Sequence, residues 1–114
     1  MTADWQQFLG ERLRCDGLAA WAARFPDRTV ASHCYTDWFS TKQIERILSR
    51  LVLAGESLTQ HGIQPSGMSW VFEHARVCVA LRQDGGCLAL FVENRPDLPR
   101  PSIEGVLEDF ARLQ

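Results

Sequence analysis

Residues 77–94, VCVALRQDGGCLALFVEN, constrain the fold more than any other stretch of the chain. Two short apolar runs flank Asp84-Gly85-Gly86 and read as a β-hairpin, yet neither run alternates apolar with polar residues as a strand with one wet face does. Strands that are apolar on both sides need cover on both sides, so a chain built around this hairpin must form a sheet sandwiched between two further layers. With Asp84-Gly85 as a two-residue type I′ turn, Arg82 is expected opposite Cys87, and Cys78 opposite Phe91.

The remaining layers can be read along the chain. Asp4 to Cys15 places Trp5, Phe8, Leu9 and Leu13 at helical spacing, with Asp4 as N-cap and Gly17 beyond the end as a stop. Leu18–Phe25 and Thr29–Tyr35, separated by Pro26-Asp27-Arg28, read as a first hairpin. A long helix follows. Ser40 and Gln43 have capping-box spacing, Phe39 and Ile44 occupy staple positions, and Gly62 stands where a terminating glycine belongs, after His61. Its apolar face comprises Ile44, Ile47, Leu48, Leu51, Val52, Ala54, Gly55 and Leu58, whereas Arg46, Arg50, Glu56 and Gln60 lie away from it. Leu53 also points away, about 200° round from Leu51 at roughly 100° per residue.

The run MSWVFEHA then opens a three-strand meander, with Ala75-Arg76 as its first turn. That register aligns Trp70, Leu81 and Leu88 in one row and Phe72, Val79 and Leu90 in the next, leaving Val71, Ala80 and Ala89, then Glu73, Cys78 and Phe91, on a smaller-residue face suited to the long helix. Beyond the connector RPDLPR, Pro101 or Ser102 opens a last helix with Ile103, Val106, Leu107, Phe110 and Leu113 as its stripe. The sum is an α+β domain spanning 1–114. Five antiparallel strands carry the long helix on one face and two helices on the other, in the order α-β-β-α-β-β-β-α.

Composition narrows the function. The chain has 114 residues, 46% of them hydrophobic, enough for one core. No apolar run approaches the roughly 18–20 residues of a membrane span, and MTADWQQFLGERLR lacks the order of a signal peptide, so a cytoplasmic protein with no membrane insertion is expected. Twelve basic and fourteen acidic residues give a net charge of −2, with scattered arginines, which argues against nucleic acid. Cys15, Cys34, Cys78 and Cys87 have no CxxC spacing and read as reduced, apolar thiols. His33 and Cys34 are adjacent on a strand, so they face opposite ways and do not chelate one metal. Glu73 and His74 flank a turn. No Ser-His-Asp, HExxH, Walker or GxGxxG pattern is present, and neither a catalytic residue nor a cofactor is expected.

The stretches CDGLAAWAARFPDRTVASH and SWVFEHARVCVALRQDGGCLALFVEN, with the element order, resemble the Roadblock family of dynein light chains and bacterial and archaeal small-GTPase regulators. The resemblance covers nearly the whole chain, although Pro26-Asp27-Arg28 lacks a glycine often expected in the first hairpin turn. It implies a non-enzymatic homodimer joined through its third strand and long helix (Trp70, Val71, Phe72, Glu73, Ile47 and Ala54), binding a small Ras-like GTPase or serving as a scaffold. The residues agree on one point: 69–73 form an apolar, aromatic edge that needs cover. Leu53, flanked by Arg46 and Arg50, is either an ordinary exposed leucine or a docking contact. Trp38 and Phe39 are likewise either staple and core or part of a docking surface. Two other classes fit the composition, a secretion-chaperone-like adaptor and a profilin-, PAS- or GAF-like ligand sensor. Two strands before the long helix and three after favour the Roadblock arrangement over the chaperone.

Overall fold

A computed structural model of the protein describes residues 7–11, 13, 17–37, 39–62, 67–71, 75–82, 84–93 and 100–112. Its elements are α1 (7–11), β1 (Leu18–Arg24), β2 (Val30–Cys34), α2 (Thr41–Gln60), β3 (Gly67–Val71), β4 (Ala75–Leu81), β5 (Cys87–Glu93) and α3 (Arg100–Arg112). The strands form one antiparallel sheet in the order β2-β1-β5-β4-β3, so β1 and β5 are central and β2 and β3 are edges. The N-cap Asp4, Trp5, Cys15, Trp38, the turn around His74, the connector 95–99 and Leu113 lie outside the described residues.

The helix with written boundaries forms as written. Ser40 Oγ accepts from the Gln43 amide at 3.1 Å, and Gln43 Oε1 accepts from the Ser40 amide at 2.9 Å, completing the capping box. At the far end Gly62 takes φ +82°, and its amide donates to the Thr59 carbonyl at 3.1 Å, which stops the helix. Phe39 is half-buried against the same core as Ile44, its ring 5.2 Å from that of Phe91.

Two cores lie on opposite sides of the sheet. Beneath α2, Ile44, Leu48, Leu51 and Val52 pack on Ala20, Ala22, Val77, Val79, Ala89 and Phe91. On the other side Phe8, Leu9 and Leu13 from the N-terminal segment and Ile103, Val106 and Phe110 from α3 cover Leu18, Leu88, Leu90 and Val92, with Phe8 and Phe110 6.2 Å apart. β5 is consequently buried on both faces from Cys87 to Val92, as its unbroken apolar run requires. The alanines of β1 are just as buried. A bulge between Leu18 and Ala20 lets these two residues, of equal parity, face opposite cores. The start of the sheet is strapped by Tyr35, whose hydroxyl donates to the Leu13 carbonyl at 2.8 Å and accepts from Trp21 Nε1 at 3.3 Å.

The register of the meander differs from expectation. Asp84-Gly85 is not a two-residue turn. The Arg82 amide donates to the Gly86 carbonyl and the Gly85 amide to the Arg82 carbonyl, and Gly85 takes a left-handed φ of +94°, the bonding of a longer loop closed by one left-handed residue. The longer loop moves the pairing by one residue, so Cys78 faces Leu90 and Leu81 faces Cys87. A shift of one exchanges faces. The rows expected to gather large residues on one side are therefore broken up: Val79 shares its row with Ala89 and Ala80 with Leu88, and both faces alternate large and small. Ala75-Arg76 is not a turn either, because both residues begin β4. Trp70 stands opposite Val77 and Val71 opposite Arg76, four residues from the expected pairing of Trp70 with Leu81.

The first hairpin repeats the same loop. The Phe25 amide donates to the Thr29 carbonyl and the Arg28 amide to the Phe25 carbonyl, both at 2.8 Å, and Arg28 sits at φ +74° where the other hairpin has Gly85. Asp27 Oδ1 holds this turn by accepting from the Thr29 hydroxyl at 2.6 Å and its amide at 3.0 Å. Those two bonds, the hydroxyl's first, draw the Asp27 carboxyl below its ordinary value.

Candidate interaction surface

The α2 surface turned away from the sheet follows the helical period. Ile44, Leu48 and Gly55 define its buried centre. Glu45, on one flank, accepts a hydrogen bond from the Ser32 hydroxyl at 2.6 Å, so that flank looks toward edge strand β2. Ile47, Ala54 and Leu58 lie on the opposite flank, at about 100° per residue, and thus on the side of β4 and β3. There the apolar face outruns what the sheet covers. Ile47 is half-buried against the core, Leu58 is half-buried, and Ala54, on the apolar face and expected at the dimer contact, is exposed. The contact of α2 with the sheet is made by Ile44, Leu48, Leu51, Val52 and Gly55, which leaves Ala54 outside it.

Leu53, Arg46 and Arg50 group on the outermost surface. Leu53 is 64% exposed, the highest value among the exposed large hydrophobic residues described. Arg46 and Arg50 are exposed on the preceding turns. Trp70 and Val71 belong to β3, at the edge of the sheet, whereas Phe72 and Glu73 lie outside the described residues. The candidate residues thus fall on one helix flank, the helix's outer surface and one sheet edge.

Chemistry elsewhere is quiet. Burial pushes the Cys87 thiol up to about 12 against the opposing charge of Arg24, and burial also raises Cys34, so both are protonated thiols at neutral pH and poor nucleophiles. Among the described residues no group of three His, Cys, Asp or Glu side chains is arranged to hold a metal, and no helix is long and apolar enough to cross a membrane. His33 is exposed and stacks edge-on to Tyr35 at 4.6 Å, while Cys34 packs toward the α2 core, which separates the two as strand alternation requires.

One arrangement carried no sequence signal as a site. Arg24 and Arg28 from the first hairpin come together with Arg82 from the second at the end of the sheet beside the C-terminal half of α2. The spacing of 28 and 82 says nothing of this proximity, which arises only because β1 lies beside β5. Arg82 is occupied. Its guanidinium donates to Asp84 at 2.9–3.2 Å and to the Phe110 carbonyl at 2.8 Å, tying the hairpin to the last turn of α3.

No family model matches the sequence, and no curated protein sequence is significantly similar to it. Solved structures are similar in fold. The gliding protein MglB from Thermus thermophilus superposes with a TM-score of 0.67 at 14% identity, covering 94% of this chain and 82% of that one. A Roadblock/LC7 domain from Streptomyces avermitilis gives 0.60 at 10% identity over 90% and 91% of the two chains. MglC from Myxococcus xanthus gives 0.59 at 17% identity over 94% and 92%. With the antiparallel sheet, the long α2 on one face and α1 and α3 on the other, the chain has the Roadblock/LC7 fold.

Proposed function

We propose that this protein is a non-enzymatic, cytoplasmic, homodimeric regulator or scaffold that binds a small Ras-like GTPase or a larger assembly. The observation that carries the reading is the incompletely covered α2 flank beside an edge strand. Ile47 and Ala54 remain partly or fully accessible on the side of the sheet that ends in β3. A second copy related by a two-fold axis would lay the same flank against itself and pair the two β3 edges, with Trp70, Val71, Phe72 and Glu73 along the seam. That arrangement covers an edge which otherwise invites aggregation. It also sets two copies of Leu53, Arg46 and Arg50 on one outer surface, an apolar contact ringed by arginines of the kind partner proteins engage. The likeness to MglB, MglC and Roadblock/LC7 structures supports the reading at the level of fold.

Two substitutions at exposed positions separate the two claims, because such positions shift stability by no more than about 0.5 kcal/mol. Ala54→Arg is expected to convert a dimer to a folded monomer in sedimentation velocity; a wild-type protein that is already a stable monomer at micromolar concentration overturns the dimer. Leu53→Glu is expected to keep dimer mass and melting temperature while losing binding to small GTPases of the same organism, loaded with GDP or GTP. Retention of parental affinity by that variant removes α2 as the docking surface.

A further inference from the structure

Where the tips of the two hairpins approach the C-terminal half of α2, an open groove of about 1110 Å³ is formed. Its hairpin wall carries Arg24, Pro26 and Arg28, and its helix wall carries Glu56, Thr59 and Gln60. Half-buried Leu81 and the edge of Val52 supply apolar surface between them, over a buried Cys87. Arg82 and Asp84 at the second hairpin neutralise each other. Among the described residues the Arg24 and Arg28 guanidinium groups make no hydrogen bond or ion pair, so the hairpin wall presents two uncompensated cations against the single acid of Glu56.

Arg28 stands out for a second reason. The two hairpins use the same loop, and the left-handed position that the second fills with Gly85 is filled in the first by an arginine, in a backbone conformation that side chains rarely adopt. Backbone strain of this kind clusters at ligand-binding and switch regions. This side chain reaches no partner among the described residues and lines the groove.

We infer that this groove binds a short acidic peptide segment of a partner protein, its carboxylates on Arg24 and Arg28 and its apolar side chains over Val52 and Leu81. Charge selects the sign of the ligand. The volume exceeds the roughly 300–1,000 Å³ of a small-molecule pocket, and an open groove with apolar surface between polar walls fits an extended segment of several residues. The site stands apart from the proposed dimer, because Val52 and Glu56 share the flank of Glu45, which faces β2, whereas Ile47 and Ala54 lie on the other.

The test is an amide-resolved NMR titration of the intact protein with acetyl-Glu-Leu-Glu-Phe-Glu-amide and, in parallel, acetyl-Lys-Leu-Lys-Phe-Lys-amide. The acidic peptide is expected to move the amides of Arg24, Arg28, Gly55 and Gly86, and the lysine peptide to bind about tenfold more weakly or not at all. Arg24→Gln and Arg28→Gly should each weaken the acidic peptide about three- to tenfold, and rising salt should weaken it further. Arg28→Gly removes the guanidinium while relieving the turn, so its loss of binding does not arise from misfolding. Glu56→Gln should tighten binding, and Ala54→Arg should leave it unchanged, which separates this site from the dimer. Equal affinity for both peptides, no perturbation at millimolar acidic peptide, or undiminished binding by the arginine variants overturns the inference.

Discussion

The paired hairpins allow backbone strain to be measured within one molecule. Arg28 and Gly85 occupy equivalent positions in equivalent loops, at φ +74° and +94°, and differ in whether a Cβ is present. Holding an L-residue in the left-handed region costs about 1–2 kcal/mol. Glycine escapes that cost but adds roughly 0.5–1 kcal/mol of unfolded-state entropy. Arg28→Gly is therefore expected to stabilise the fold by about 0.5–1 kcal/mol, with the Asp27 bonds to Thr29 retained. The reciprocal change, Gly85→Ala, introduces a Cβ that meets no atom within 4 Å, so backbone strain alone should destabilise by about 0.5–1 kcal/mol. Urea unfolding at one fixed protein concentration, with m unchanged, reads both values. For a chain of this size the shifts correspond to about 2–5 °C in Tm. Opposite signs are required: if Arg28→Gly is neutral or destabilising while Gly85→Ala behaves as stated, the Arg28 side chain holds the fold through contacts of its own.

Ser40→Ala removes one half of the reciprocal cap of α2 and is expected to cost about 1 kcal/mol in urea unfolding, with Ser40→Gly costing less. Burial opposes ionisation of Asp84, but Arg82 and the Gly86 amide outweigh it and hold the carboxyl below the ordinary 3.8. A depressed folded-state pKa contributes stability that is fully present above the unfolded value and lost as pH falls through the folded one, so wild type should lose stability below about pH 4 more steeply than Asp84→Asn. Parallel acid titrations of the two proteins check this, and coincident profiles refute it. Cys34, Cys78 and Cys87 form no disulfide; unfolding midpoints are expected to be the same with and without reductant or chelator, against the roughly 2 kcal/mol or more that a native cross-link contributes.

Much of this fold is decided within a few residues. The cap of α2 needs only Ser40 and Gln43, its stop needs only Gly62, and the apolar runs on either side of Asp84 declare strands that must be covered twice, so the three layers were legible from the chain itself. Register was not. An Asp-Gly pair fits either a two-residue turn or a type I turn closed by a left-handed glycine, and these differ by one residue in pairing. That residue decides whether Val79 shares a row with Leu90 or Ala89, and hence which side chains each helix meets. The docking candidates divide in the same way: the exposure of Leu53 followed from helical rotation, whereas the exposure of Ala54 depended on where α2 came to rest across the sheet. The groove is the extreme case. Arg24, Arg28, Val52 and Leu81 are scattered along the chain and meet only because β1 lies beside β5 while α2 crosses the same face, an arrangement set by tertiary packing and strand order that no local spacing encodes.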